Sequence, residues 1–404
     1  MTGACSTVLI YDSFGPYHLA RLSAVRSMMD VTGLEVGSLS SDYSWFTEDS
    51  SGFVETLFPG VSSDQISLAD LRSAMDSALD RLNPIAVAVP GWSSPAALSA
   101  LLWAWRHSRT VVLMSDSTAL DAPRRAPLEW VKTIIVKGCD AGFVSGSRSA
   151  DYLASLGMPR DRMFDGYDVV DNEHFVHGAS AARKQDERLR GQLGLPPRYL
   201  LFVGRLMEKK NLGTLMKAYA RYASQNTEAE RIVHLLIVGE GPLAARLKAL
   251  RAELNLGDLI HFYGHADYPR LPTLYGLAEG FVLPSMVEQW GLVVNEAIAS
   301  GLPVLVSNRA GAAADIVVEG ENGFSFSPND IVGLTKAIEA LVSADKNALG
   351  LCSRQIANEW GLARFAKGLQ HSVDKGIEAP RRAGILTRAV ANFLVRFHMR
   401  QRDR

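Results

Sequence analysis

Glu288 and Glu296 are the residues of this 404-residue chain best placed to do chemistry. They bracket the run Glu288-Gln289-Trp290-Gly291-Leu292-Val293-Val294-Asn295-Glu296. Before it, an apolar stretch at 280–285 reads as a buried strand of a parallel sheet. After it, residues 291–300 read as a helix stopped by Gly301 and Pro303. A strand feeding a helix through a polar loop presents free backbone N–H groups and a positive dipole end, which suits phosphate. Were the whole run helical, eight steps would part the two carboxylates by about 12 Å along the axis. That is too far to flank one glycosidic bond, where hydrolase pairs sit about 5–9.5 Å apart. It suits a ligand with hydroxyls at both ends and a diphosphate in the middle, the layout of a nucleotide-sugar.

A second pair of residues fits the same ligand. Gly204-Arg205 follows an apolar run at 199–203 at once, and Lys210 comes five residues after the arginine. At a strand end near a phosphate-binding helix, such a pair grips a diphosphate from both sides, Arg as a fork and Lys as a point charge. It would neutralise a leaving nucleotide diphosphate without a metal. The chain has no Asp-x-Asp motif, in keeping with metal independence, and no metal ligand is assigned. A solvated helix start would explain any isolated Arg/Lys pair. The carboxylates in the same half weigh against that explanation here.

These residues need a scaffold, and the chain supplies strand and helix in alternation, twice over. Apolar β-rich runs fall at 7–11, 34–39, 85–89, 111–114 and 141–144, with helical patterns between them, as at 17–29 and 94–105. A polar stretch at 177–191 carries four Arg or Lys residues and no strand signal. A second series follows at 199–203, 235–238, 259–263, 281–283 and 304–306. The expected fold class is α/β, with two Rossmann-like doubly wound domains whose strand ends face a central cleft. The boundaries read as 1–176 for the first domain, 177–196 for a linker region, 197–378 for the second domain and 379–404 for a basic amphipathic helix.

Composition narrows the class. With 47% hydrophobic and 21% charged residues the chain is globular and long enough for two domains. A formal net charge of −1 argues against nucleic acid as a partner. Cys5, Cys139 and Cys352 are scattered, so they read as reduced, mostly buried thiols of a cytoplasmic protein. The N-terminal residues lack a basic region of the kind that opens a signal peptide, and no apolar run reaches the length of a transmembrane helix.

The second half resembles the nucleotide-binding domain of GT-B retaining glycosyltransferases of the large family 4. The resemblance spans residues 195 to 330 and rests on ordered motifs. These are Val203-Gly204-Arg205-Leu206 with Lys210, Val238-Gly239-Glu240-Gly241-Pro242, Phe262-Tyr263-Gly264, Leu274-Tyr275 with Ala278, and Leu283-Pro284-Ser285. The E-x7-E run, Ala299-Ser300-Gly301-Leu302-Pro303, and Gly320 with Gly323 follow. In the first half the match is looser, at Ser13-Phe14-Gly15-Pro16-Tyr17-His18 and at Gly166-Tyr167-Asp168-Val169-Val170-Asp171 with Phe175.

The resemblance implies roles. Arg205 and Lys210 would hold the donor diphosphate beside Gly204 and stabilise charge as the anomeric bond breaks. Glu288 would touch the transferred sugar near its reacting carbon. Backbone N–H groups around Gly291, Leu292 and Val293 would meet the diphosphate, and Glu296 would accept from the ribose hydroxyls. Gly15, in the other domain, would let its loop approach the phosphates, since it has no Cβ. The family retains anomeric configuration through front-face attack with the departing phosphate as base, so no protein nucleophile is assigned. The nucleotide-sugar, UDP- or GDP-linked, is a co-substrate, and no separate cofactor is implied.

Several positions depart from the family pattern. Gln289 and Trp290 stand where a Gly or Pro and then a Phe is usual, and Trp290 either narrows the sugar pocket or packs. Ser115-Asp116-Ser117 stands where many relatives carry a His; Asp116 either orients the sugar or acceptor or caps a helix. His18 either contacts a ligand or serves as a capping and packing residue. Gly239-Glu240-Gly241 reads as a tight strand-to-helix turn. Two basic stretches add a further question, 124–137 with Trp130, Val131, Ile134 and Ile135 interleaved, and 381–404 with seven arginines against one Asp. In the latter, Leu386, Val390, Phe393, Leu394 and Phe397 share a helical face. Either these segments bind an anionic membrane surface or the tail packs back on the first domain.

The expected activity is retaining, metal-independent transfer of a sugar to a glycan or lipid-linked saccharide, in surface polysaccharide assembly. The expected location is the cytoplasm, peripheral at the inner face of the plasma membrane. A GT-B nucleotide-sugar epimerase and a non-catalytic nucleotide-sugar-binding subunit are the alternatives.

Overall fold

The computed structural model describes residues 7–39, 52–226, 232–378, 380–381 and 383–402, with backbone alone for 396–402. Cys5 and the Phe397 side chain lie outside the described residues. The chain forms two compact units, one of Met1–Val169 with Leu362–Arg404 and one of Val170–Gly361.

The first unit is built on seven parallel strands: β1 (Thr7–Tyr11), β2 (Val31–Leu39), β3 (Val54–Ser62), β4 (Ala86–Pro90), β5 (Thr110–Ser115), β6 (Ala141–Val144) and β7 (Met163–Asp165). Their order is β3-β2-β1-β4-β5-β6-β7, which reverses between β1 and β4. Doubly wound sheets open a ligand crevice at such a switch point, at the carboxyl ends of the strands. β1, β5 and β6 are buried at every position, as a sheet covered on both faces requires. One face is packed by Leu71, Met75, Leu101, Trp103 and Ile135, the other by Leu22, Val25, Phe365 and Leu369. β3 and β7 were not expected from sequence. β3 carries Pro59 and Gly60, tolerable on an edge, and β7 has only three residues.

The second unit holds six parallel strands: β8 (Tyr199–Val203), β9 (His234–Val238), β10 (Ile260–Gly264), β11 (Gly280–Leu283), β12 (Val304–Ser307) and β13 (Gly323–Phe326). The order is β10-β9-β8-β11-β12-β13, again doubly wound, with β13 the edge that sequence patterning did not show. Both units are therefore Rossmann-like.

The breaks between units fall at Val169/Val170 and Gly361/Leu362, where the sequence reading had placed them at 176 and 378. The stretch 177–196, read as a linker region, belongs to the second unit and is mostly helical, in the helices Asn172–Arg183 and Asp186–Leu193. It docks through small residues: a Cβ at Gly276 would lie 2.7 Å from Ala179 Cα. Arg190 also donates to the Leu277 carbonyl at 2.7 Å. A polar exterior hid that contact, because close backbone approach needs no apolar stripe.

The helix Leu362–Glu378 returns to the first unit because Phe365, Ala366, Leu369 and Val373 form a buried face against its sheet. The C-terminal helix Ile385–Arg402 packs on the helices Pro95–Arg106 and Ala126–Val136. Ala391 and Val395 are buried, and Arg388 donates to the Trp105 carbonyl at 2.7 Å. The apolar row read from sequence is split by this packing. Val390 and Leu394 turn toward the core, while Leu386 and Phe393 are exposed. Cys139 is buried and Cys352 half-buried, both as free thiols.

Candidate active site

The carboxyl ends of β8, β9 and β11 bring most of the expected residues together. β8 ends at Val203, and Gly204 turns out of it at φ +153 while its N–H bonds the Val238 carbonyl at 3.0 Å. Leu206 N–H reaches the Glu240 carbonyl at 2.8 Å, which ties the turn after β8 to the turn after β9. Gly239, at φ +130, has its missing Cβ directed into the Gly204 carbonyl oxygen, so the tight turn read for Gly239–Gly241 is what its backbone forms.

The loop then tightens into a short 3₁₀ turn, Glu208–Lys210, closed by Asn211 in the left-handed region at φ +56. Asn211 Nδ2 donates to the carbonyls of Pro284 and Pro328 at 3.2 and 2.8 Å. Met286 N–H donates to the Lys209 carbonyl at 2.8 Å. These bonds fasten the loop after β8 to the loops after β11 and β13. As a result Lys210 Nζ forms a close ion pair with Glu288 Oε2. The two side chains are only 12% and 13% exposed. Ser285, fully buried, donates its hydroxyl to the same carboxylate oxygen at 3.0 Å.

Two further expected residues adjoin this pair. A Cβ at Gly204 would lie 3.8 Å from Lys210 Nζ, and one at Gly291 would lie 3.2 Å from Glu288 Cγ. Gly291 sits at φ +105 as the N-cap of the helix Leu292–Ala299, and no side chain caps that helix. No side chain occupies its first-turn N–H groups, those of Leu292 and Val293 among them, and an uncapped helix start of this kind suits an anion. Arg205 lies at the same strand end and is exposed.

Glu296 is 1% exposed and accepts a 2.8 Å bond from the Tyr275 hydroxyl, so it stands inside the wall of the site. Trp290 packs: it is 3% exposed, stacks on Trp360 with centroids 5.1 Å apart, and donates Nε1 to Asn295 at 2.8 Å. Gly15 lies in the other unit, as N-cap of the helix Pro16–Arg26 at φ −99, which any residue adopts.

In the first unit, a buried polar cluster lies at the carboxyl ends of the strands. Arg21 is 2% exposed and donates to the Val169 carbonyl at 2.8 and 3.0 Å and to Asp168 at 3.4 Å. Ser145, just after β6, donates to the other Asp168 oxygen at 2.8 Å. Asp116, just after β5, has its pKa pushed up to about 7 by burial and then by the Asp168 charge. The helix-capping alternative for Asp116 does not hold, because the next helix begins ten residues later with Arg125 as its N-cap. His18 accepts from Gly15 N–H at 3.1 Å and packs on Tyr11; burial and the Arg21 charge push its pKa down to about 3. Sequence reasoning missed Arg21. Its signal was a charge beside Leu22 and Val25, on the inward side of the first helix.

Residues 184–358 match the family model described as glycosyl transferases group 1. Among curated proteins it is similar to D-inositol 3-phosphate glycosyltransferase 2 of Catenulispora acidiphila, with 32% identity over 54% of this chain and 53% of that protein. It is similar also to the glycogen synthase of Mycobacterium tuberculosis, with 33% identity over 41% of this chain and 38% of that one. The matched stretch thus spans about half the length of these relatives or less. Among solved structures, sucrose-phosphate synthase of Thermosynechococcus elongatus aligns at TM-score 0.69 and 18% identity, over 92% of this chain and 99% of that chain. Anabaena HepE in complex with UDP and glucose aligns at TM-score 0.69 and 16% identity, over the same shares. At these identities the likeness establishes the fold, GT-B, with two Rossmann-like domains.

Proposed function

We propose that this protein is a retaining glycosyltransferase that moves a sugar from a nucleotide-sugar to a glycan or lipid-linked saccharide, without a metal. The observation that carries the reading is the Lys210–Glu288 pair beside the uncapped start of the helix Leu292–Ala299. A donor diphosphate on that helix start would draw Lys210 toward its phosphates, with Arg205 as a second cation. Glu288, still held by Ser285, would then be released to bond the hydroxyls of the transferred sugar. Charge building on the leaving diphosphate is met by cations already in place, which is where electrostatic catalysis has its largest effect. The departing phosphate takes the acceptor's proton as the acceptor attacks from the same face, so configuration is retained. UDP is the preferred nucleotide, in line with the complexes of HepE. The melting temperature of the purified protein, with chelator present, is expected to rise with one UDP-sugar and not with the matching GDP-sugar. No rise with any nucleotide or nucleotide-sugar would sink the reading.

The proposed acceptor is one carried at a membrane. No described helix is long and apolar enough to cross one. The C-terminal helix nevertheless exposes Ile385, Leu386 and Phe393, and the helix Ala126–Val136 on which it packs exposes Leu128 and Trp130. Arg125, Lys137 and Arg388 are exposed on the same two helices or at their ends. Apolar side chains interleaved with cations match the chemistry of an anionic bilayer surface. The double variant Trp130→Asp, Phe393→Asp is expected to lose sedimentation with phosphatidylglycerol vesicles while keeping its melting temperature. Unchanged sedimentation would remove the membrane from the proposal.

A further inference from the structure

A cavity of about 640 Å³ opens in the second unit at the amino ends of β11 and β12, the opposite end of the sheet from Lys210 and Glu288. Its wall holds charges whose partners can be accounted for one by one. Glu279 is held by Arg198 at 2.5 and 3.0 Å and by Lys346 at 2.6 Å. Asp345 accepts the N–H groups of Asn347 and Ala348 at 3.0 and 3.2 Å, capping the helix Lys346–Glu359. Two guanidinium groups remain, Arg183 and Arg354.

Arg183 is anchored, donating Nη2 to the Ser300 carbonyl at 2.6 Å. Arg354 forms no hydrogen bond or ion pair with the described residues. Its guanidinium lies over Gly301, at φ +76, where a Cβ would stand 2.5 Å from Nε. A glycine there lets the arginine lie flat on the backbone in the cavity lining. Burial, and then the Arg354 charge, push the Arg183 guanidinium below its ordinary range, so the two cations act on each other. Two like charges sharing a polar recess are stabilised by an anion between them, and guanidinium forks match phosphate oxygens in pairs.

We propose that this cavity binds a phosphate-bearing metabolite, its phosphate held between Arg183 and Arg354 and its organic part against Leu302, Pro303 and Leu351. The site is independent of the donor site. A donor diphosphate belongs at the carboxyl ends of the strands, and this anion sits at the amino ends. The independence also separates this inference from the proposed transferase activity, since either can fail alone.

The test is equilibrium binding of radiolabelled orthophosphate to the full chain, at ionic strength held constant with chloride. Wild type and Lys210→Gln are both expected to bind phosphate at the Arg183–Arg354 site. Arg354→Gln is expected to weaken that site by roughly ten- to a hundredfold, the loss of a charge-assisted contact. Arg354→Lys, which keeps the charge and loses the fork, falls between. Arg354 is exposed, so the variants should keep the wild-type melting temperature, and Arg183→Gln provides a second variant with the same expected loss. Phosphate binding that is unchanged in both Arg354→Gln and Arg183→Gln would overturn the proposal. So would its complete disappearance in Lys210→Gln, which would assign all the phosphate to the donor site.

Discussion

Replacing Lys210 with methionine is expected to lower donor turnover by about 10²–10³-fold, the usual loss when one preorganised charge is removed from a developing anion. Methionine matches the stem of the lysine and fills the same space beside Gly204, so the change isolates the charge. Because the proposed contact strengthens as the leaving group departs, kcat and kcat/KM should fall together, with KM for the nucleotide-sugar moving little. The same substitution strands the Glu288 carboxylate, 13% exposed, with the Ser285 hydroxyl as its remaining hydrogen-bond donor among the described residues. That should cost roughly 1–3 kcal/mol of stability, below the range for fully buried pairs because some water reaches this one. Adding Glu288→Gln separates the two effects. The double variant should recover most of the melting temperature and none of the turnover. A Lys210→Met enzyme with near wild-type kcat would remove Lys210 from the chemistry and leave it a structural partner of Glu288.

Lys210 and Glu288 were visible in the sequence because each stands just after an apolar run, where a parallel sheet must end. Position along the chain therefore reported position at the sheet edge. The strands that were visible, β1, β5, β8 and β12 among them, are buried throughout and mostly apolar. β3, β7 and β13 escaped notice because edge strands are paired on one side and need no such run. The state of Glu296 was also hidden. Its spacing from Glu288 was plain, but only the fold places the Tyr275 hydroxyl against it. Arg21 and Asp168 lie 147 positions apart and meet solely through the topology of the first unit, so no local pattern could pair them. Of the tail's two readings the structure shows the packing, with Ala391 and Val395 buried in the core of the first unit; the membrane reading stands as the proposal above.

Gly239→Ala is expected to be the most destabilising single change near the site, by about 3–5 kcal/mol, as strain and overpacking add. At φ +130 an alanine is strained before any neighbour is considered, and its Cβ would overlap the Gly204 carbonyl oxygen. Neither side can yield easily. Gly239 N–H is bonded to the Gly264 carbonyl at 2.7 Å, and Gly204 N–H to Val238 at 3.0 Å, so the turns after β8, β9 and β10 are tied together. A melting-temperature loss of roughly 10 °C follows for a unit of this size. Gly320→Ala is the matched control. It has a positive φ of +75 but nothing within 4 Å of the added Cβ, so it carries the strain without the collision and should lose about 1 kcal/mol. Equal losses in the two variants would mean that backbone conformation alone sets the cost and that the approach of the two turns is incidental. If Gly239→Ala loses several-fold more, the close approach of Gly239 to Gly204 is what fixes the loop carrying Arg205 and Lys210. The surviving folded fraction should then also show a weaker thermal shift with nucleotide-sugar, because the cations would no longer be held where the diphosphate arrives.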